Sequence, residues 1–257
     1  MPTSLTFAQH LAVLSAAGPR LAALAADAGP TAPVPTCPAW DANALLAHQA
    51  MVHRWATAIV TGTDPDDVPT QTELRSHADL AAYYREGLAA LVDALSTAPE
   101  DLDVMTFLKD PPAPRHFWAR RQAHETTVHA LDAQAALLGR VPTTEEAGVP
   151  TDVAADGLDE LLRGFYTRGK SKLFDGTEYT FVVQPTDLDR RWVVRVAERL
   201  TVDDGDDAPV PADPGAVLRG ATAALYLALW NRGSDIHVEG DAGVAIAWRA
   251  RQKVTWS

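Results

Sequence analysis

The chain has 257 residues, of which 47% are hydrophobic, and it carries a formal net charge of −12 with a pI of about 5.0. This length and apolar content suffice for one large domain or two smaller domains with buried cores. An acidic chain without a long basic stripe argues against nucleic acid and anionic membranes as partners, and a single cysteine excludes an internal disulfide and a zinc site built from several cysteines.

The first part of the chain carries four segments with apolar residues at helical spacing, separated by breaks rich in proline and glycine. These segments run over Leu5–Ala26, Asp41–Val60, His77–Ser96 and Arg115–Leu138. Asp41 is placed to cap the second helix. Four helices of about 20 residues predict an antiparallel four-helix bundle over residues 1–140.

The second part of the chain follows a segment, residues 139–150, whose Pro, Thr, Glu and Gly content is typical of a linker. We predict a small α+β domain over residues 152–257. Its predicted elements are a helix at Val153–Tyr166, a hairpin of strands Tyr179–Val183 and Trp192–Ala197, an acidic loop at Asp203–Asp207, a long apolar helix at Ala216–Asn231 and a last helix at Asp241–Ala250.

The sequence shows no targeting signal. The N-terminus lacks a basic region followed by an apolar run, so we expect no signal peptide. No apolar stretch reaches the roughly 20 residues of a membrane span. These features indicate a cytoplasmic protein without a membrane partner. For its assembly, a monomer and a homodimer are both open.

The fourth predicted helix contains a pair of residues suited to a metal. Glu125 and His129 are four residues apart and therefore lie within about 40° of each other on one helical face. A carboxylate oxygen and an imidazole nitrogen can then reach the same ion. His124 and His129 are five residues apart, about 140° around the helix, so they are unsuited to sharing one ion. The zinc-protease motif H-E-x-x-H is thus absent.

A metal site on Glu125 and His129 needs a third ligand from elsewhere. The histidines available are His10, His48, His53, His77, His116 and His237. His48 lies inside the apolar stripe of the second helix, whereas His53 lies about 140° away, toward solvent. Bundle sites take side chains from facing helices, which favours His48. His10 and His77 remain open, and so does a purely structural role for His48 in the core.

The helical face around Glu125 is unusually polar. Trp118, Arg121, His129 and Asp132 lie within about 40° of it. Such a face is typical of a solvated surface, but it also suits a buried functional site. The opposite arc mixes apolar and polar residues, so helical geometry does not decide between the two.

Several motifs resemble those of one known family. Cys37–His48, with its Cys-Pro-Ala-Trp start, is similar to the first signature of the DinB-like, mycothiol-dependent maleylpyruvate isomerase family, and Arg121–Asp132 is similar to the second. Ala155–Leu162 resembles a third motif. Segments Leu218–Arg232 and Val238–Asp241 resemble the family's C-terminal domain. The resemblance covers nearly the whole chain.

The resemblance implies an N-terminal DinB-like four-helix bundle and a C-terminal domain with a fold similar to sterol carrier protein. It also implies a divalent metal, usually zinc, held by His48, Glu125 and His129 as the matching positions. One departure is His-Ala-Leu-Asp, which ends at Asp132, where many members read His-Arg-Trp-Asp. That change removes an Arg and a Trp beside the site and affects which substrate fits.

The implied chemistry is that of a metal-activated thiol. Two His and one Glu leave a coordination position open, which is the pattern of catalytic zinc. An open zinc can bind a thiol and remove its proton. The only cysteine, Cys37, lies in a turn and is interpreted as a packed small side chain, so the nucleophile is expected to be imported, and the resemblance identifies it as mycothiol. The reaction would be isomerisation of a maleylpyruvate type or S-transfer to a small-molecule electrophile.

Three further residues are candidates for the reaction itself. Arg121, on the metal face, and Arg232, which matches an arginine of the family's C-terminal domain, could bind a substrate carboxylate. Asp132, one turn beyond His129, could orient that ligand. Each of the three also fits an ordinary salt bridge.

Two other functions compete with this interpretation. A metal-dependent hydrolase would use the same site to activate water. A non-enzymatic protein would use a structural metal and hold an apolar ligand in its C-terminal domain. Dependence of catalysis on added thiol would distinguish the thiol-dependent enzyme from the hydrolase. A fourth protein ligand that closes the metal site would favour the non-enzymatic protein.

Overall fold

The structure is a computed structural model that describes residues 3–205 and 208–254. The chain forms two compact units. A helical unit comprises Leu5–Phe107 and Pro111–Pro142. A sheet-containing unit comprises the described residues from Thr143 onward together with Thr3, Ser4 and Leu108–Asp110. The predicted combination of an N-terminal helical part and a smaller C-terminal part with both helices and strands is confirmed.

Four long helices make up most of the helical unit, and each of them contacts the other three. They are α1 (Phe7–Ala28), α2 (Ala42–Thr61), α4 (Leu80–Thr97) and α5 (Pro114–Leu138). A 3₁₀ turn (Pro65–Asp67) and the short helix α3 (Gln71–Leu74) lie between α2 and α4. The predicted helices are therefore confirmed, with bounds that differ by at most a few residues.

The start of α2 is fixed as the sequence predicts. The Asp41 side chain accepts a hydrogen bond of 2.7 Å from the backbone N–H of Ala44, which satisfies a donor that the first turn of the helix leaves unpaired. Arg75 also donates to Asp41 at 2.9 Å. This cap sets where the second turn of α2, which carries His48, begins.

Helix α5 is buried on all of its faces. Every residue from Phe117 to Ala133 is buried, including Arg120 and Thr127 on the arc opposite Glu125. The polar face of this helix is therefore not solvated. A helix that is enclosed on all sides has no solvent-facing stripe, which explains why its periodicity left the orientation open.

Among the described residues, α1 alone is long and apolar enough to cross a membrane by length and composition. Core helices of soluble proteins pass the same test. Here the buried side chains Leu14, Leu21 and Ala25 of α1 belong to the core, and α1 packs along α5. This packing buries one face of α1.

The sheet-containing unit has four helices and a five-stranded sheet among its described residues. The helices are α6 (Thr144–Ala147), α7 (Thr151–Asp159), which continues as a π-helical turn (Glu160–Phe165), α8 (Thr222–Leu229) and α9 (Gly243–Arg251). The strands are β1 (Tyr179–Pro185), β2 (Arg191–Val196), β3 (Leu200–Gly205), β4 (Ala216–Gly220) and β5 (His237–Gly240). The sheet order is β3-β2-β1-β4-β5. Strands β1 and β4 are parallel, and the other neighbours are antiparallel.

The predicted hairpin is confirmed as β1 and β2, with Phe181 opposite Val194. Two other predictions in this unit were wrong. Asp203 and Asp204 do not belong to an acidic loop, because they pair with β2 as part of β3; Asp206 and Asp207 of that predicted loop lie outside the described residues. The long apolar helix was also wrong at its start, where Ala216–Gly220 forms β4.

The error at β4 has a physical cause. A short apolar run can be a buried strand or a helix segment, and periodicity alone does not separate them. The tertiary structure separates them through Asp187, which accepts hydrogen bonds from the backbone N–H and the hydroxyl of Thr222, at 2.8 and 2.6 Å. These contacts start α8 at Thr222, after the strand. Strand β5 was not predicted, and the last helix begins at Gly243, two residues later than expected.

Candidate metal centre

Helices α2 and α5 bring three predicted ligands together in the helical unit. His48 lies on the second turn of α2, and Glu125 and His129 lie on successive turns of α5. Glu125 Oε1 is 3.4 Å from His48 Nε2 and 3.2 Å from His129 Nε2. One donor atom from each of the three residues lies within 4.8 Å of the other two, and all three residues are buried.

The spacing of these donor atoms fits a small divalent cation. With bonds of about 2.0–2.2 Å to nitrogen and oxygen, a tetrahedral ion holds neighbouring donor atoms roughly 3.3 Å apart. The two measured separations, 3.4 and 3.2 Å, agree with that edge length. Direct charge-assisted hydrogen bonds are shorter, at about 2.7–2.9 Å. These two separations are therefore compatible with coordination of one ion by the three residues.

The remaining histidines of the helical unit do not join this group. His10 hydrogen-bonds to His116, with 3.0 Å between His10 Nδ1 and His116 Nε2, and the exposed His77 packs on the ring of Tyr83. His124 faces α1, where its ring lies against that of His10. Of the candidates for the third ligand, the structure places His48 beside Glu125 and His129.

The predicted orientation of His53 toward solvent was wrong. His53 is fully buried, with its Nε2 atom 2.9 Å from Thr126 Oγ1 of α5 and its ring against Tyr84 of α4. Helix α2 packs against both α4 and α5, so it has two buried faces instead of one apolar stripe. His53 lies where it contacts both of these helices.

Arg121 holds the second oxygen of the Glu125 carboxylate. Its Nη2 donates to Glu125 Oε2 at 2.9 Å, and both side chains are buried. This contact leaves Oε1 directed at the two histidines. Arg121 lies on the metal face as predicted, but its charge is matched by Glu125.

Asp132 orients His129 from the side away from the other donors. Asp132 Oδ2 is 2.9 Å from His129 Nδ1, and Asp132 is fully buried. A carboxylate at this nitrogen fixes the ring orientation and leaves Nε2 free to bind an ion. Cys37 Sγ donates to the same Asp132 oxygen at 3.5 Å.

The aromatic ring of Trp40 covers one side of the site, a feature that sequence reasoning did not single out. Its centroid is 4.8 Å from the ring of His48 and 5.8 Å from that of His129. The turn before α2 places it there through hydrogen bonds from Cys37 N to Val34 O and from Trp40 N to Cys37 O. The only sequence signal was the position of Trp40 within the Cys-Pro-Ala-Trp motif.

The electrostatics of the site place one proton on His129 when no metal is bound. Burial opposes that charge, but hydrogen bonds to Asp132 and Glu125 outweigh it and raise the pKa of His129 to about 9. Burial lowers the pKa of His48, and the hydrogen bond to Glu125 only partly offsets this. Although burial acts in the opposite direction, hydrogen bonds from both histidines hold the pKa of Glu125 well below its usual range.

Replacement of Asp132 tests its role as the residue that orients His129. Asp132→Asn is expected to weaken metal binding by about 10–100-fold, because a neutral amide is a weaker partner for the ring N–H than a carboxylate. Competition titration with a chromophoric chelator measures this change. An affinity equal to that of the parent would show that Asp132 does not orient the ligand.

Arg232 belongs to the sheet-containing unit, just after α8, and its Nη1 donates to the backbone oxygen of Trp230 at 2.8 Å. Its predicted role as a cation for a substrate carboxylate stays a prediction.

Comparisons with known proteins give two family matches. The profile of the mycothiol maleylpyruvate isomerase N-terminal domain matches residues 11–134, and that of the MDMPI C-terminal domain matches residues 152–246. No curated protein matches the chain. Solved structures with a similar fold include the mycothiol-dependent maleylpyruvate isomerase, at 17% identity and a TM-score of 0.62, and a histidine-to-alanine mutant of the mycothiol-dependent maleylpyruvate isomerase, at 15% and 0.63. Each alignment covers 94% of this chain and 98% of the other.

Proposed function

The chain belongs to the mycothiol maleylpyruvate isomerase family, and we propose that it is a metal-dependent enzyme that uses mycothiol as thiol cofactor or co-substrate. It would isomerise a substrate of the maleylpyruvate type or transfer the thiol to another small electrophile. The observation that carries this proposal is the His48, Glu125 and His129 donor set on two packed helices.

These three residues would hold the metal, for which zinc is the expected ion because nitrogen and carboxylate ligands suit it. A divalent metal with an open coordination position would lower the pKa of a bound thiol, so that the thiolate is present near neutral pH. The chain itself prepares the donor atoms. Asp132 and Arg121 orient His129 and Glu125 respectively, and the ring of Trp40 limits access of water to the two imidazoles on one side.

The internal thiol is poorly suited to act as the nucleophile. Cys37 is half-buried and donates a hydrogen bond to Asp132, whose carboxylate also contacts His129. The thiol hydrogen is engaged by a carboxylate oxygen 3.5 Å away. This contact supports an external thiol as the source of the sulfur nucleophile.

The two proposed reactions share their first step. In an isomerisation, the thiolate would add to the cis double bond and form a carbon–sulfur bond, while the π electron pair moves to the conjugated carbonyl as an enolate. Rotation about the resulting single bond, followed by return of that pair and expulsion of the thiolate, would give the trans product. In a transfer, the enolate would instead take up a proton equivalent to the one that the thiol released, and the carbon–sulfur bond would persist in the conjugate. We propose Arg121 and Arg232 as candidate cations for a substrate carboxylate, and the pairing of Arg121 with Glu125 favours Arg232.

Product analysis separates the two reactions. The metal-loaded protein is incubated with maleylpyruvate and with a generic electrophile, each with and without mycothiol. A trans isomer without net consumption of thiol identifies an isomerase, whereas stoichiometric conjugate identifies a transferase. Turnover of an ester or amide without thiol would instead support the hydrolase.

We propose the cytoplasm as the location of the reaction.

Metal affinity is expected to depend on pH through His129. Because the raised pKa of about 9 keeps this residue protonated in the metal-free protein, a metal must displace one proton from it. The affinity should therefore rise by about tenfold per pH unit from pH 7 toward 9 and then level off.

The metal-free protein should show the opposite trend. A pKa raised from 6.5 to about 9 contributes stability that is fully present below pH 6.5 and is lost as the pH rises through 9. Chelator competition and chemical unfolding at pH 6.5, 7.5 and 9 measure the two trends. A metal affinity that is constant over this range would contradict a protonated His129 in the metal-free site.

A further inference from the structure

A second polar cluster joins α2 and α5 directly beside the proposed metal ligands. It consists of Gln49 and His53 of α2 and Thr126 of α5, all fully buried. Thr126 Oγ1 is 2.9 Å from His53 Nε2 and 3.2 Å from Gln49 Nε2. Gln49 Nε2 and His53 Nε2 are 2.8 Å apart. The hydroxyl of one residue on α5 is thus held by two side chains of α2.

This cluster repeats the register of the metal donors. Gln49 follows His48 and Thr126 follows Glu125, so both contacts between the helices join residues that are 77 positions apart. A slip of α2 along α5 by a single residue moves the side chains by about 1.5 Å. Such a slip would break the hydrogen bonds of the cluster and separate His48 from Glu125 at the same time.

Simple filling of the core does not account for the cluster. Buried polar groups cost free energy unless they are hydrogen-bonded, and apolar side chains would fill the same space at lower cost. Among the described residues, Gln49 Oε1 and His53 Nδ1 have no hydrogen-bond partner. The cluster therefore contributes less to the free energy of unfolding than an apolar core of the same volume would. This points to a role in fixing one arrangement of the helices.

The charge of the cluster also suits a neighbouring cation site. Burial lowers the pKa of His53 to about 3, so its ring stays neutral at physiological pH. The cluster therefore adds no positive charge beside His48 and Glu125. A Lys or Arg in this position would oppose the binding of a divalent ion.

From these contacts we infer that Gln49, His53 and Thr126 are positioning residues, which fix the register of α2 against α5 and thereby hold His48 in reach of Glu125 and His129. The inference rests on the metal site proposed above. It assigns the cluster an effect on metal affinity in addition to its effect on folding.

The test compares two threonines that are adjacent on α5. Thr126→Val removes the hydroxyl that both side chains of α2 bind, with little change in shape. Thr127→Val removes a buried hydroxyl for which the structure gives no hydrogen-bond partner among the described residues, and it serves as the control. Thr126→Ser keeps the hydroxyl and tests for rescue. For each folded variant, zinc affinity is measured by chelator competition, and stability is measured by denaturant unfolding of the metal-free protein.

We expect Thr126→Val to bind zinc about 10–100-fold more weakly than the parent, in the range typical of residues that orient metal ligands. Thr126→Ser and Thr127→Val should bind zinc as the parent does. If folded Thr126→Val loses stability but keeps the affinity of the parent, the cluster is merely structural and the inference is wrong.

Two further outcomes keep the test decisive. If Thr126→Val fails to fold, the same measurements are made on Gln49→Met, which keeps the length of the side chain but removes its amide. A folded Gln49→Met variant with the zinc affinity of the parent would refute the inference. Should the parent itself bind no zinc, the proposed metal site and this inference both fail. If the parent binds zinc and Thr126→Val binds it with equal affinity, only the positioning role is refuted and the metal site stands.

Discussion

A His48→Ala, His129→Ala double variant is expected to retain no metal under conditions in which the parent chain holds one ion. The change removes two of the three donor atoms and leaves only Glu125, whose other oxygen is bound by Arg121. Loss of direct ligands should exceed the roughly 10–100-fold effect of residues that merely orient them. Elemental analysis after gel filtration gives the metal content per chain, and circular dichroism confirms that the variant is folded.

A matched control removes two imidazoles elsewhere. His77 and His237 are both exposed, so a His77→Ala, His237→Ala variant has the same change in composition without touching the site. It should keep the metal content of the parent. Stoichiometric metal in the folded His48, His129 variant would refute the proposed ligand set.

Turnover is expected to require an added low-molecular-weight thiol, and a Cys37→Ser variant is expected to remain active when that thiol is supplied. The reason is that the Cys37 thiol donates a hydrogen bond to Asp132, while none of the three proposed metal ligands is a sulfur atom. The serine hydroxyl can donate to the same carboxylate. Initial rates are measured for the parent and for Cys37→Ser, each with and without mycothiol.

Binding of the thiol provides a second measurement for this prediction. If a metal in the site lowers the pKa of the thiol, binding should release a proton near neutral pH. Calorimetry in two buffers of different ionisation enthalpy would show this as a heat that depends on the buffer. An inactive Cys37→Ser variant with intact metal would place the nucleophile inside the protein. Equal rates of the parent with and without thiol would favour the hydrolase.

Much of the helical unit could be predicted from the sequence because its signals are local. The 3.6-residue repeat of apolar positions predicts the four long helices, and Asp41 predicts the start of α2. In the sheet-containing unit the corresponding signals failed at β4 and β5. Strand β4 is a short apolar run that is continuous with the apolar helix α8, and its partner β1 lies more than 30 residues earlier, so no local pattern identifies it.

The candidate site likewise combines features that local sequence spacing predicts with features that depend on the packing of the helices. The spacing of Glu125 and His129 by one helical turn is a property of the sequence, and the structure keeps both on one face. The position of His53 could not be predicted, because helical periodicity identifies one apolar stripe and α2 has two buried directions, against α4 and against α5. The cover over the two histidines by Trp40 depends on the turn before α2 and was likewise not predicted.

By itself, the sequence determined which residues share a helical turn, that four long helices precede a smaller mixed part, and that Glu125 and His129 can act as a pair. Only the tertiary structure decided that the polar face of α5 is enclosed and not solvated, and that His48 is the histidine that meets this pair. The physical reason is that backbone geometry fixes neighbours within one helix over about 6 Å, whereas contacts between helices depend on packing of the whole core.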